Sequence, residues 1–259
     1  MSYSADNSDR EASNSMQVRR RKRKLGSLEN QYQSDMKWLN KNYPNVTYIL
    51  GETNSDSTNL NMAQIEGVFG SALWLIDYLM YGMTQDITRM HLIQGTTFGY
   101  TGWVPVSYGG REPYVRPPLY GQIVAADVLG HDPLIQIQEV ELGLWNFSAY
   151  AVYGSRKLAK FVLVNLDEWN NTTPYPRPSQ QVLLQVPLES GMKSAVVERL
   201  VGNGANADEG ITWGGVNWNY TDGRLVQGGK RSTDQLSFDR GGQAKLTVSS
   251  SEAVLVTLK

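Results

Sequence analysis

Residues 48–55 contain the carboxylate that is best placed to do chemistry. A short apolar, β-prone run ends at Gly51, Glu52 follows directly, and polar loop residues lead to an apolar, helix-like segment that begins near Val68. In a β/α barrel, the residue at the carboxyl end of a strand points into the mouth of the active site. This order makes Glu52 a candidate catalytic carboxylate, although a solvated loop carboxylate would show the same spacing.

Composition narrows the class of protein. The 259 residues are 41% hydrophobic and 19% charged with a net charge of -1, so no overall field favours nucleic acid or a membrane surface. The absence of cysteine and the presence of only two histidines argue against thiolate and histidine-rich metal sites. The longest apolar stretch, 68–80, is too short and too polar to span a bilayer.

Residues 1–25 read as a disordered, solvated tail. Its basic run, 19–24, has polar flanks, and no apolar region follows that would make it a signal peptide. A nuclear-localisation or nucleic-acid patch is the alternative. Five Asn-x-Ser/Thr sequons are nevertheless compatible with a glycosylated, extracellular protein; they begin at Asn45, Asn146, Asn170, Asn171 and Asn219.

The remaining chain divides into two parts. Predicted helices over 26–43, 69–81 and 120–129 alternate with predicted strands over 46–50 and 87–93, an order typical of α/β folds with parallel strands. After residues 131–133 the pattern changes to short β-prone runs separated by turn residues, with a hairpin signal at 153–157. We therefore predict a partial β/α barrel over 26–132 and an antiparallel β-sandwich over 133–259.

The α/β part is too small to close on itself. Two strands and three helices cannot form an eight-stranded barrel, which needs about 250 residues. Trp145, Trp213 and Trp218 in the second part are expected to pack in its core or against the first part, and a carbohydrate-binding role is the alternative.

An ordered set of motifs resembles glycoside hydrolase family 79, the fungal β-glucuronidase branch to which heparanase is related. The set consists of Tyr-Ile-Leu-Gly-Glu-Thr-Asn-Ser at 48–55, Gly-Ser-Ala-Leu-Trp-Leu-Ile-Asp-Tyr-Leu at 70–79, His-Leu-Ile-Gln-Gly at 91–95, and Pro-Pro-Leu-Tyr-Gly at 117–121. Residues 46–130 resemble the last two β/α units of that family's barrel, and 134–259 resemble its C-terminal β-sandwich.

The resemblance implies a retaining glycosidase that acts on glucuronide-containing glycans without a metal or organic cofactor. Glu52 matches the family's nucleophile, and the acid/base partner should lie in an Asn-Glu dipeptide, which this sequence lacks. Glu66, Glu112 and Glu139 are interpreted as structural or solvated. The chain by itself is therefore predicted to be inactive, because losing general acid catalysis costs roughly 10²–10⁴ in rate.

Five further residues are candidates for substrate binding. Tyr100 follows the last predicted strand and could donate a hydrogen bond to a uronate carboxylate, or it could be a packed loop aromatic. His91 and Gln94 flank a strand end, where they face the barrel mouth or serve structure. Asn54 could orient the Glu52 loop. Trp103 is a candidate sugar-stacking wall, or it packs against neighbouring residues.

Two alternatives to the nucleophile half of an enzyme stay open. One is a non-catalytic carbohydrate-binding or structural β-sandwich with a remnant of a barrel. The other is a truncated gene model of a secreted β-glucuronidase. In either case, an open barrel would expose strand edges and apolar helix faces, so self-association is expected.

Overall fold

A computed structural model describes residues 33–55, 65–96 and 98–259. In its first part the elements are, in chain order, α1 (Gln33–Asn42), β1 (Tyr48–Thr53), α2 (Phe69–Thr84), β2 (Ile87–Leu92), β3 (Trp103–Val104), β4 (Tyr114–Val115) and α3 (Pro118–Leu129). The helices and strands predicted from residue 46 to 129 are therefore confirmed to within a few residues. The tail 1–25 and the predicted helical residues 26–32 lie outside the described residues.

The second part consists of strands. These are β5 (Gln136–Glu139), β6 (Phe147–Gly154), β7 (Lys157–Asn165), β8 (Ser179–Gln185), β9 (Ser194–Val201), β10 (Thr212–Trp213), β11 (Val216–Thr221), β12 (Arg224–Gly229), β13 (Asp234–Ser237), β14 (Gln243–Ser249) and β15 (Glu252–Leu258). The predicted hairpin is confirmed: Ser155 and Arg156, both with positive φ, join β6 to β7. Strands β10 to β13 were not expected from the sequence.

Two antiparallel sheets form the β-sandwich. The large sheet has the strand order β12-β11-β10-β9-β15-β7-β6-β5, with β13 also paired to β9, and the small sheet pairs β14 with β8. A core lies between them, built from alternate residues such as Leu163 and Val197 on one sheet and Val182 and Val248 on the other. The predicted antiparallel sandwich is confirmed.

The outer face of the large sheet is also buried, because helices α2 and α3 cover it. Tyr150, Val164 and Leu255 of the sheet belong to the same core as the buried face of these helices. This double burial explains why β6 and β15 are continuous apolar runs instead of alternating ones.

Helix α2 is buried from Phe69 to Gly82, since it lies between the sandwich and the remaining α/β elements. Its first amides donate to the sandwich loop: Phe69 N to Ala207 O and Gly70 N to Ala205 O, at 2.7 and 2.8 Å. Helix N-termini need such external acceptors. The α2–α3 crossing depends on Gly121, where a Cβ would lie 2.7 Å from the carbonyl oxygen of Ala72.

The tryptophan predictions have mixed outcomes. Trp213 is fully buried, as predicted, and Trp218 is half-buried against the core. The prediction for Trp145 is wrong, because this side chain is 58% exposed in the segment between β5 and β6. Among the helices described, none has the length and hydropathy needed to cross a membrane.

Candidate active site

Glu52 lies near the carboxyl end of β1, and its side chain is exposed. Strand β1 pairs in parallel with β2, so the carboxyl ends of both strands meet at one edge, where Thr53 is the partner of Leu92. This is the edge at which β/α folds carry their functional groups. The parallel pair therefore positions Glu52 where the sequence predicted a catalytic carboxylate.

A β-bulge interrupts the pairing of β1 with β2 at Gly51 and Glu52. Leu50 pairs with Met90 and Thr53 pairs with Leu92, so Gly51 and Glu52 together lie opposite the single residue His91. Bulges of this kind bend a strand and redirect one side chain, and they are frequent beside active sites. The bulge brings Glu52 and His91, which is also exposed, to neighbouring positions at the end of the pair.

Buried polar contacts hold the strand end directly after Glu52. Thr53 Oγ1 lies 2.6 Å from Tyr78 Oη, which fastens β1 to helix α2. The backbone amide of Ser55 donates to Asn54 Oδ1 at 2.9 Å. Asn54 is only 4% exposed, so this bond to the next residue is buried.

The loop after β2 carries a second group of candidates. The Gln94 side chain bridges this loop, because its Nε2 donates to Trp103 O at 2.7 Å and its Oε1 accepts from Gly102 N at 3.0 Å. Tyr100 is 3% exposed and stacks on Phe98 with ring centroids 5.3 Å apart. Trp103 is half-buried in β3. The structure thus places Glu52 and His91 on the parallel strands and Asn54 directly after β1. Gln94 and Tyr100 lie in the loop after β2, and Trp103 begins β3.

Arg116 organises this loop and was not singled out from the sequence. Its guanidinium is buried, donates to Thr101 Oγ1 at 3.0 Å, and also bonds Phe98 O and Tyr114 Oη. An arginine in front of two prolines and a helix is the only local signal that could have indicated it. A buried cation that binds several loop oxygens fixes the loop in one conformation.

The other glutamates lie in different surroundings. Glu66 is fully buried directly before α2, and its carbonyl accepts from Ser71 Oγ. Glu112 is exposed and accepts from Ser107 Oγ at 3.1 Å, and Glu139 lies in β5 opposite Tyr150. Across the described ranges, no cluster of three or more histidine, aspartate or glutamate side chains could hold a metal ion.

Comparison with known proteins identifies the sandwich. Residues 149–255 match the family model of the glycosyl hydrolase family 79 C-terminal beta domain. A β-glucuronidase of Aspergillus niger is 34% identical over 194 residues, and one of Neurospora crassa is 32% identical over 210. Residues 149–255 form a family 79 C-terminal β domain. The resemblance of the chain to a C-terminal portion of family 79 is thereby confirmed.

The family 79 relatives are longer than this chain. The matched regions make up 71% and 69% of this chain but only 35% and 37% of the Aspergillus and Neurospora proteins. The chain therefore spans about a third of the length of the curated relatives it matches.

Solved structures support the same fold. A 4-O-α-L-rhamnosyl-β-D-glucuronidase from Fusarium oxysporum superimposes with a TM-score of 0.74 at 22% identity, covering 93% of this chain and 50% of that one. A family 51 arabinofuranosidase from Xanthomonas axonopodis gives a TM-score of 0.60 at 12% identity, covering 99% and 49%. At these identities the likeness concerns the fold alone.

Proposed function

We propose that this chain supplies the nucleophile half of a retaining glycoside hydrolase that acts on β-glucuronides. The observation that carries the proposal is the exposed carboxylate of Glu52, set by a bulge at the carboxyl edge of two parallel strands beside His91. The β-glucuronidases of Aspergillus niger and Neurospora crassa, which resemble this chain, support the choice of substrate.

In this proposal, β1 to α3 are the last two β/α units of a barrel, within a catalytic part over 26–132 that precedes the sandwich part over 133–259. Helices α2 and α3 would lie on the outside of that barrel. They would attach it to the large sheet through the hydrophobic core that they share with that sheet. The remaining strands and the acid/base carboxylate would come from sequence outside this chain, consistent with the greater length of the relatives.

The chemistry is a double displacement. Glu52 attacks the anomeric carbon and forms a glycosyl-enzyme ester while a second carboxylic acid, about 5 Å away, protonates the leaving oxygen. That second group then deprotonates the water that cleaves the ester. No metal or organic cofactor takes part in this mechanism.

The neighbouring residues receive distinct roles. His91 is proposed to bind substrate beside the nucleophile, a role that its position opposite Glu52 in the strand pair supports. Asn54 is proposed to orient the Glu52 loop, and its bond to the Ser55 amide supports this role. Gln94 positions the loop in which Trp103 forms a wall of the sugar site. Tyr100 is assigned to the uronate carboxylate, because a phenol can donate a hydrogen bond to it and this residue lies in the loop after β2.

The isolated chain is expected to be inactive, because it contains only one of the two carboxylates. The test is hydrolysis of 4-nitrophenyl β-D-glucuronide by the purified 259-residue chain, by Glu52→Gln and by the control Glu112→Gln, which changes another exposed glutamate. We expect no turnover above background from any of the three. If the chain hydrolyses the substrate, and this activity is lost in Glu52→Gln but kept in Glu112→Gln, then the proposal that the chain lacks an acid/base carboxylate is contradicted.

A second measurement tests the nucleophile itself. A 2-deoxy-2-fluoro-β-D-glucuronyl fluoride carries a leaving group that needs little protonation, so it can label a nucleophile without the acid partner. We expect peptide mass spectrometry to locate any glycosyl ester on Glu52 and to lose it in Glu52→Gln. An ester on another carboxylate, or no ester on a folded chain, would count against Glu52.

We also propose that the protein is extracellular and glycosylated. Asn45, Asn171 and Asn219 are exposed, whereas Asn146 donates to Asp167 Oδ1 at 3.2 Å and Ser148 of its sequon is fully buried. Mass spectrometry of protein from the culture medium of the source cells should find glycans at one or more of the exposed sites and none at Asn146. Protein that is confined to the cells, or carries no glycan, would contradict this proposal.

Self-association is proposed through the open parallel pair. Val46 is 51% exposed before β1 and Ile49 is 40% exposed within it, beside backbone groups that no further strand of the described part pairs with. Sedimentation velocity should show concentration-dependent association that Ile49→Lys weakens. The control Leu188→Lys, at a 65% exposed position on the sandwich, should leave association unchanged.

A further inference from the structure

A cleft of about 380 Å³ lies between the segment around β4 and strand β11 of the sandwich. We refer to it as the β4–β11 cleft. Its walls include Arg111, Tyr114, Asp208, Trp218 and Tyr220. Its volume is within the range of small-ligand sites, and its lining combines aromatic rings with a few polar groups, as such sites do.

Trp218 and Tyr220 form the sandwich wall of the cleft. They are two residues apart on β11, so their side chains leave the same face of the strand about 7 Å apart. Both are half-buried. The Trp218 ring meets Tyr120 of α3 edge-on at 5.5 Å, and Tyr120 Oη accepts from the Trp218 amide, which fixes the ring. Held aromatic rings offer apolar faces to the C–H face of a pyranose.

Around Arg111 the cleft carries one positive and two negative side chains. Arg111 lies 3.7 Å from Asp208 and stacks on the Tyr114 ring at 4.2 Å, and Glu209 adds another carboxylate. The guanidinium is therefore already paired, so the cleft offers no unpaired cation to an anionic sugar. Because Arg111 and Asp208 are each more than half exposed, their pairing is weak, and hydroxyl groups can replace it at little cost.

A second cleft adjoins the β4–β11 cleft. Arg111, Tyr114 and Pro117 also line this neighbouring cleft of about 340 Å³, which extends to Gly99 in the loop after β2 and to Arg116. Because the two clefts share these residues, a saccharide longer than one sugar could extend from one cleft into the other.

From these features we infer that the β4–β11 cleft is a binding site for neutral sugar residues of an oligosaccharide. Trp218 and Tyr220 stack on the sugar rings, and Arg111, Asp208 and the Asn217 amide accept or donate hydrogen bonds to hydroxyl groups. This binding goes beyond the proposed glycosidase function, since it needs neither Glu52 nor a second catalytic carboxylate.

The test is isothermal titration calorimetry on the full 259-residue chain, made in bacteria so that the Asn219 sequon carries no glycan. The probes are cellohexaose, xylohexaose, mannohexaose and β-1,3-galactohexaose, with D-glucuronic acid for comparison. We expect saturable binding of at least one hexasaccharide, equally strong in Glu52→Gln. Failure of a folded chain to bind any of the four, or stronger binding of glucuronic acid than of all four, would overturn the inference.

Variants locate the site. Tyr220→Ala and Arg111→Ala should weaken binding roughly tenfold or more, whereas Tyr175→Ala, a 55% exposed tyrosine outside the cleft, should leave it unchanged. Near-ultraviolet circular dichroism and thermal unfolding establish that each variant is folded. If folded Tyr220→Ala and Arg111→Ala bind the saccharide as tightly as the unaltered chain, the saccharide does not bind in the β4–β11 cleft. This test and the Glu52 measurements can fail independently of each other.

Discussion

The large sheet and the β1–β2 pair differ in whether their strands are hydrogen-bonded to a neighbouring strand on both sides. Strand β15 pairs along its length with β7 on one side and β9 on the other, and its residues Ala253 to Val256 are fully buried. Strand β1 pairs with β2 alone, and Ile49 is 40% exposed. Within the described chain, β15 has a paired neighbour on both sides, whereas β1, which carries Glu52, has a paired neighbour on one side only.

Because of this difference, the elements that stabilise the fold are not the ones that carry the candidate catalytic carboxylate. The sandwich with α2 and α3 buries a core on both faces of the large sheet. The β1–β2 pair is attached to that unit mainly through α2. The position of the Glu52 carboxylate therefore depends on the sandwich and its helices, whereas their stability does not depend on Glu52. Four substitutions test this division.

The largest effect is expected from Leu255→Ala, in the face of β15 beneath the helices. Leu255 is 2% exposed, and truncation of a buried leucine leaves a cavity that costs about 3 kcal/mol of unfolding free energy. Leu183→Ala, at a 55% exposed position on β8, should cost less than about 0.5 kcal/mol. Urea denaturation measures both, and equal losses would refute the assignment of the core.

Tyr150→Phe should have the next largest effect, because it removes a contact between the large sheet and α2. Tyr150 Oη donates to Asp77 Oδ1 at 2.6 Å, and Asp77 is fully buried. Loss of a hydrogen bond to a buried carboxyl group costs about 2 kcal/mol. The control Tyr153→Phe, further along β6, should change little, and a negligible loss in Tyr150→Phe would show that the contact does not join the two layers.

Lys160→Met tests the other helix through the pH dependence of stability. Lys160 donates to the carbonyls of Asp127 and Val128 in the last turn of α3, at 2.7 and 2.9 Å. Burial lowers the pKa of Lys160, an effect that the charges of Asp127 and Glu198 partly offset. The folded state therefore binds fewer protons than the unfolded state at pH values between the lowered pKa and 10.5.

The sign of the effect follows from this proton balance. At neutral pH the substitution should cost about 1 kcal/mol through the lost hydrogen bonds. The stability of the wild type relative to Lys160→Met should then rise as the pH approaches 10.5 from below, where the penalty for burying the charge is relieved. Lys245→Met, at an exposed position on β14, serves as the control. A pH-independent difference would contradict the burial of the Lys160 ammonium.

Thr53→Val should have the smallest effect on global stability. It removes the contact of 2.6 Å between Thr53 Oγ1 and Tyr78 Oη while keeping the shape of the side chain, and a loss of less than about 1 kcal/mol of global unfolding free energy is expected. Because the contact fastens only the end of β1, the loss should appear in hydrogen exchange of β1 amides more than in global unfolding. Unchanged exchange in β1 would show that the strand end is held by other contacts.

Local sequence patterns predicted many elements of this protein. The apolar segment from Phe69 and the turn at Ser155 and Arg156 specify a helix and a hairpin through properties of neighbouring residues. The strands from β10 to β13 were missed because glycines and polar residues interrupt them. Asp222 and Gly223, both with positive φ, are a hairpin signal that could have revealed β11 and β12.

The candidate site was predictable only in part. The run that ends at Gly51 and Glu52 indicates a strand followed by a carboxylate, and this was sufficient to choose Glu52. The bulge that sets Glu52 opposite His91 was not predictable, since it depends on the register between two strands separated by helix α2. The role of Gln94 as a bridge to Gly102 and Trp103 likewise appears only in the folded loop.

By itself, the sequence determined the order of helices and strands, the change from α/β to β structure near residues 131–133, and the family of the sandwich. These properties depend on periodicity, turn chemistry and motifs, which neighbouring residues encode. The tertiary structure decided that α2 and α3 cover the large sheet, that Tyr150 meets Asp77 and that Trp218 packs edge-on against Tyr120. Such contacts join residues 73 and 98 positions apart, so they arise only when packing and strand register bring those positions together.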